Sequence, residues 1–226
     1  MCRGELLLLQ INDALFPIGG YSHSYGLETY IQKELLKGEE DIKEYIKNRL
    51  KYSIVNTELL CARLAYENCQ NTEYLKKLDG ILTASKIPLE IRNASLKMGS
   101  RFIKTLKGCQ IKLSNDSFEK YIKAEYDKKH HSTAYGVVCG AAETGVKKAI
   151  RNYAYAQCSA MVTNCVKAVP LSQSLGQKIL YESYDVLDEV CENVFNMNES
   201  ELCASAPAFD IRCMEHERLY SRIYMS

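Results

Sequence analysis

Apolar residues recur every three or four positions along most of this chain, while strict alternation is rare, so the pattern predicts helices from end to end. The longest predicted helix begins at Gly38-Glu39-Glu40-Asp41, where acidic residues suit the positive end of the helix dipole. Ile42, Tyr45, Ile46, Leu50 and Ile54 then mark one buried face, and the pattern continues to about Tyr66. Upstream, an approach segment from Leu6 to Leu15 leads into the turn Phe16-Pro17-Ile18-Gly19-Gly20. A helix is expected from near Ser22 or Ser24 to about Leu36, with the Ser24 hydroxyl as its cap. Downstream, Asn71 or Thr72 can cap a helix to about Ser85, and Pro88 suits the first turn of one ending near Lys107. Its expected inner face is Leu89, Ile91, Leu96, Met98, Phe102, Ile103 and Leu106.

Asn115 or Asp116 is expected to open a helix reaching about Lys128. The small-residue stretch Ala134 to Thr144, opened by Ser132 or Thr133, allows close helix approach and belongs at the centre of a bundle. Lys147 to Val169 is the most apolar helix and stops before Pro170. Gln173 to about Phe195 is amphipathic, Asn196 to Pro207 reads as loop, and Met214 to Tyr224 as a short last helix or tail. The fold class is therefore all-α: one helical bundle of roughly eight to ten helices spanning 1–226, with 203–226 as a tail.

Composition narrows the function classes. The 29 basic and 28 acidic residues leave a formal net charge of +1, which gives nucleic acid or an anionic membrane no claim as main partner. The run Leu6 to Leu9 is too short for a signal-peptide core, and no run of about 18 apolar residues occurs. Ten cysteines are present: Cys2, Cys61, Cys69, Cys109, Cys139, Cys158, Cys165, Cys191, Cys203 and Cys213. No two form C-x-x-C, and most sit in apolar helical contexts, so they read as reduced core residues of a cytoplasmic protein.

Candidate chemistry is thin. Gly140 to Lys147 places a lysine one position late for a phosphate-cradling loop and lacks the following hydroxyl. His130 and His131 would point about 100° apart on a helix and could share a metal only in a turn. Cys213 and His216 lie three residues apart on one helical face, a two-ligand set that suits at most a weak nickel or zinc contact. Ser22-His23-Ser24 holds a nucleophile and a base, but neighbours in sequence rarely form the needed hydrogen bond. Lys167, in an almost apolar run, either lays its stem on the core or presents its charge at a helix C-terminus to a partner's carboxylate.

Four ordered blocks resemble the UreF family of urease accessory proteins. They are Asn12 to Thr29 (NDALFPIGGYSHSYGLET), Pro88-Leu89-Glu90-Ile91-Arg92 with Met98-Gly99-Ser100-Arg101, Val169-Pro170-Leu171-Ser172-Gln173 with Gly176-Gln177, and Asp210-Ile211 with His216-Glu217 and Leu219-Tyr220-Ser221-Arg222. Many members of the family carry Arg where Lys167 stands, Gly where Ser172 stands, and Phe where Tyr21 and Tyr25 stand.

The resemblance implies a non-catalytic assembly chaperone that homodimerises in the cytoplasm. It implies partners as well: a UreD/UreH-type accessory protein, a UreG-type GTPase and apo-urease. On that reading the partner GTPase handles nickel and GTP, and this chain binds neither stably. Tyr21 and Lys167 are the expected GTPase-facing contacts. Arg222 and the stretch from His216 to Tyr220 are expected to order the tail against the UreD/UreH-type partner. Two other readings compete. One is an enzyme using His23, and the other a nickel metallochaperone using Cys213, His216 and a His130-His131 loop.

Overall fold

A computed structural model describes residues 3–204 and 206–226, and for Arg3 the backbone alone. Among the described residues there is no strand. Twelve α-helical segments occur, more than the roughly eight to ten expected. They are α1 (Arg3–Ile11), α2 (Leu27–Gln32), α3 (Glu39–Arg49), α4 (Leu60–Glu67), α5 (Thr72–Ser85), α6 (Leu89–Gly108), α7 (Ser117–Lys123), α8 (His131–Ala141), α9 (Val146–Ala168), α10 (Gln173–Glu182), α11 (Tyr184–Asn196) and α12 (Pro207–His216). A π-helical stretch, Leu50–Leu59, joins α3 to α4 in one rod, as the apolar period across this region predicts.

The excess over expectation has local causes. The amphipathic run after Gln173 divides at Ser183, whose hydroxyl donates to the Ile179 carbonyl one turn back, a bond that bends helices. The last helix begins at Pro207 rather than Met214, because proline at the first helical position gives up an N–H that would be unpaired anyway. Conversely, α7 ends at Lys123, short of Lys128, because the chain leaves the helix to bring Tyr126 and His130 to Asp79. Ser24 is no cap. The chain turns through left-handed Tyr25 (φ 53°) and Gly26 (φ 81°), and α2 starts only at Leu27. Asn71 does cap α5, accepting from Tyr74 N at 3.1 Å, worth about 1 kcal/mol. Leu89, expected inside, is exposed.

Every residue of α8 is buried, as its small side chains predict. It packs against α4, α6, α7 and α9. The close approaches need glycine: a Cβ on Gly136 would lie 2.3 Å from the Ala62 carbonyl oxygen, and one on Gly99 of α6 2.2 Å from that of Lys129. His130 and His131 open this helix and are both buried. His130 Nδ1 meets Ser95 Oγ and its Nε2 meets Thr83 Oγ1, each at 2.9 Å. His131 Nδ1 meets Tyr153 Oη at 3.2 Å. The two rings point into the core, each bonded to core side chains.

This core predicts a pH response. Burial pulls His130 down to about 3 and His131 to about 4, and pushes Asp79, which accepts from Tyr121, Tyr126 and the His130 N–H, up to about 6. Around pH 5 the unfolded chain protonates both imidazoles while the folded chain keeps them neutral, and the folded chain alone protonates Asp79. The unfolded chain thus binds one more proton, so stability falls by about 1.4 kcal/mol per pH unit of acidification. In Asp79→Asn the opposing proton is gone, and the fall steepens to about 2.7 kcal/mol per unit. Urea unfolding at pH 6, 5 and 4 measures both slopes. A flat wild-type profile would contradict neutral buried imidazoles.

The nine cysteines among the described residues are free thiols, and Cys2 lies outside those residues. Burial pushes Cys61, Cys139 and Cys165 up to about 12, so these thiols stay protonated and pack as small apolar groups. No helix among the described residues is long and apolar enough to cross a membrane.

Candidate functional site: the N-terminal turn and the docked tail

The turn after Phe16 is built from the sequence Pro17-Ile18-Gly19-Gly20. Gly19 takes φ 80°, and the space its missing side chain leaves is filled by the Arg101 guanidinium from α6. A 3-10 turn, Gly20–Ser22, follows and exposes Tyr21, 71% accessible. This turn packs on α9, where Asn164 Nδ2 donates to the His23 carbonyl at 2.9 Å. One turn beyond Asn164, at the C-terminus of α9, stands exposed Lys167. Tyr21 and Lys167 therefore lie on elements in contact, although about 146 positions separate them in sequence.

The C-terminal segment folds back onto this turn. Met225 N donates to the Ser22 carbonyl at 2.8 Å, and Ser226 O accepts from Ser24 N and Tyr25 N at 2.5 and 3.0 Å. His23 Nδ1 lies 2.8 Å from Ser226 Oγ, and Ser22 Oγ donates to the Gly19 carbonyl. His23 thus engages neither Ser22 nor Ser24, and the Ser24 hydroxyl is buried without a partner.

Two carboxylates hold the tail. Buried Glu28, in the first turn of α2, accepts from Ile223 N at 2.7 Å and Tyr224 N at 2.9 Å. Its Oε2 also meets His216 Nε2 at 3.0 Å. Glu90, in the first turn of α6, meets His216 Nδ1 and Arg222 Nη1, each at 2.6 Å. His216 is wholly buried and bridges α12 to both α2 and α6. Both ring nitrogens are occupied, and among the described residues no three His, Cys, Asp or Glu side chains come together to hold a metal. Cys213 faces Gly26, where a Cβ would sit 3.0 Å from its sulfur.

Several apolar groups of the docked tail and of neighbouring elements stand in solvent. Tyr220, Ile223 and Met225 are exposed on the tail itself, with Ile211 on α12 and Ile87 and Leu89 at the entry to α6.

A family model described as UreF matches residues 36–184. The chain belongs to the UreF family. It is 34% identical over 98% of its length to a urease accessory protein UreF of Bacillus sp. (strain TB-90), with 98% of that protein covered. It is also 34% identical to one of Haemophilus influenzae (strain PittGG), over 97% of this chain and 94% of that protein. A urease accessory protein UreF of Paenarthrobacter aurescens (strain TC1) is 27% identical over 98% of both chains.

Of the expected site residues in this UreF-family chain, Tyr21 and Lys167 come to neighbouring elements at the surface, while His216, Tyr220 and Arg222 lie in or beside the docked tail. Tyr220 is fully exposed and Arg222 is held by Glu90. Glu28 and Glu90 were not singled out, although both fall within the quoted blocks. The signal was a carboxylate set in an apolar helix start. Their partners lie more than 120 positions away, beyond any local pattern.

Proposed function

We propose that this UreF-family chain is a non-catalytic scaffold for urease assembly. It joins a UreD/UreH-type accessory protein and a UreG-type GTPase on apo-urease, acts as a homodimer in the cytoplasm, and regulates nickel insertion while the GTPase carries nickel and GTP. Tyr21 and Lys167 face the GTPase. The segment 203–226 faces the UreD/UreH-type protein through Tyr220 and its apolar neighbours, with His216 and Arg222 setting its path.

The observation that supports this reading, beyond family membership, is exposed Tyr21 on a turn that packs on α9, the helix whose last turn carries exposed Lys167. Tyrosine is a favoured interface anchor, and an exposed lysine offers a charge to a partner's carboxylate.

Size-exclusion chromatography with light scattering tests it. The chain is mixed with the UreD/UreH-type protein, then with the GTPase, Ni²⁺ and a GTP analogue. A stable complex is expected, and truncation after Pro207 should weaken its first step. The double variant Tyr21→Ala, Lys167→Glu should weaken GTPase recruitment at least about tenfold, a loss of about 1.4 kcal/mol, and leave the first complex intact. Failure to associate under every nucleotide and metal condition would end the scaffold reading.

A further inference from the structure

A cavity of about 290 Å³ with a mixed polar and apolar lining lies between the π-helical stretch, the α5–α6 connection and α12. That is near the small end of ligand cavities. Its wall holds four charged side chains of unequal standing: Arg49, Glu58, Lys86 and Asp210. Buried Lys86 and partly buried Glu58 form a pair at 2.6 Å, and Thr57 Oγ1 also donates to Glu58, so these two charges satisfy each other.

Arg49 and Asp210 have no such arrangement. Arg49 is 8% exposed, and among the described residues its guanidinium makes one hydrogen bond, Nη1 to Ser53 Oγ at 3.1 Å. Its Nε is buried with no partner, and its Cζ lies over the Phe209 ring, 4.9 Å from the centroid. Asp210 lines the same cavity with no side-chain hydrogen bond among the described residues. A buried guanidinium left short of acceptors costs several kcal/mol, which a bound anion offsets. Its planar donor fork matches the oxygens of an oxyanion.

The Asp210 carboxylate narrows the ligand. An oxyanion without a proton would be repelled by Asp210, whereas one bearing an O–H donates to it while its other oxygens accept from Arg49. A metal ion fits poorly, since two of the four charged groups are cations. We propose that this cavity binds a free, proton-bearing oxyanion of the phosphate type, with Arg49 as the recognising cation and Asp210 as the acceptor for its O–H. The site uses this chain's own residues and does not depend on the assembly reading above.

Calorimetric titration of the full chain at neutral pH tests this, with inorganic phosphate as probe and sulfate, which lacks the O–H, at matched ionic strength. Saturable one-to-one binding of phosphate is expected, at least about tenfold tighter than sulfate. Arg49→Met should abolish it. Arg49→Lys, which keeps the charge and protects against a folding artefact, should weaken it at least about tenfold through loss of the fork. Asp210→Asn should bring the sulfate affinity up towards that of phosphate. The proposal is overturned by absence of saturable phosphate binding up to about 20 mM, by sulfate binding as well as phosphate, or by unchanged affinity in Arg49→Lys. Glycerol phosphate binding as tightly as the free ion would overturn the assignment to a free oxyanion.

Discussion

Glu28→Ala is expected to release the C-terminal tail while the bundle stays folded. The substitution strips the acceptor from Ile223 N, Tyr224 N and His216 Nε2 together, leaving three donors at a site that is otherwise buried. Removing one partner of a buried charged network costs about 3–5 kcal/mol. The tail can escape this cost by opening locally, which also breaks its bonds to Ser22, His23, Ser24 and Tyr25. Amide exchange over residues 217–226 should therefore quicken by about a hundredfold or more, with little change across α8. Arg222→Ala offers the contrast. Its ion pair with Glu90 is partly exposed, so the loss should be within about 1 kcal/mol. Hydrogen-exchange mass spectrometry reads both. Unchanged tail protection in Glu28→Ala would show that the latch lies elsewhere. On the assembly reading, the same variant should also lose affinity for the UreD/UreH-type partner, because the apolar groups of Tyr220, Ile223 and Met225 are no longer held in place.

Gly136→Ala is expected to be strongly destabilising, although alanine normally improves a helix interior by about 1 kcal/mol. The added carbon would sit 2.3 Å from the Ala62 carbonyl oxygen and 2.8 Å from Ala65 Cβ. Those atoms belong to another helix, so relief requires α4 and α8 to separate, and the rod carrying α4 is packed on its other sides by α9 and α11. Overpacking of this kind costs on the order of 3 kcal/mol. Gly80, in α5, gives the opposite sign: nothing lies within 4 Å of its would-be Cβ, so Gly80→Ala should gain about 0.5–1 kcal/mol. Urea denaturation of the two variants separates the effects. A Gly136→Ala protein as stable as wild type would mean that the two helices do not approach this closely.

The helical class was legible because burial imposes a period. Ile42, Tyr45, Ile46, Leu50 and Ile54 are all buried in the rod that their spacing predicted, and the glycine- and alanine-rich α8 sits at the centre because only small side chains permit its neighbours' approach. Caps and stops that act within a few residues, such as Asn71 and Pro170, were legible for the same reason: the group and its partner are close in sequence. The four ordered blocks carried the family.

Tertiary structure decided what depends on distant partners. The shortening of α7 follows from Asp79 drawing Tyr126 and His130 across the bundle, and the left-handed start of α2 from the need to fit Gly26 against Cys213. The joining of His216 to Glu28 and Glu90, and the meeting of Arg49 and Asp210 in the lining of one cavity, belong to the same class. A local pattern shows which residues turn inward, because that depends on the neighbours along one helix. Which inward charge meets which depends on how separate helices cross, and that is fixed only when the whole core packs.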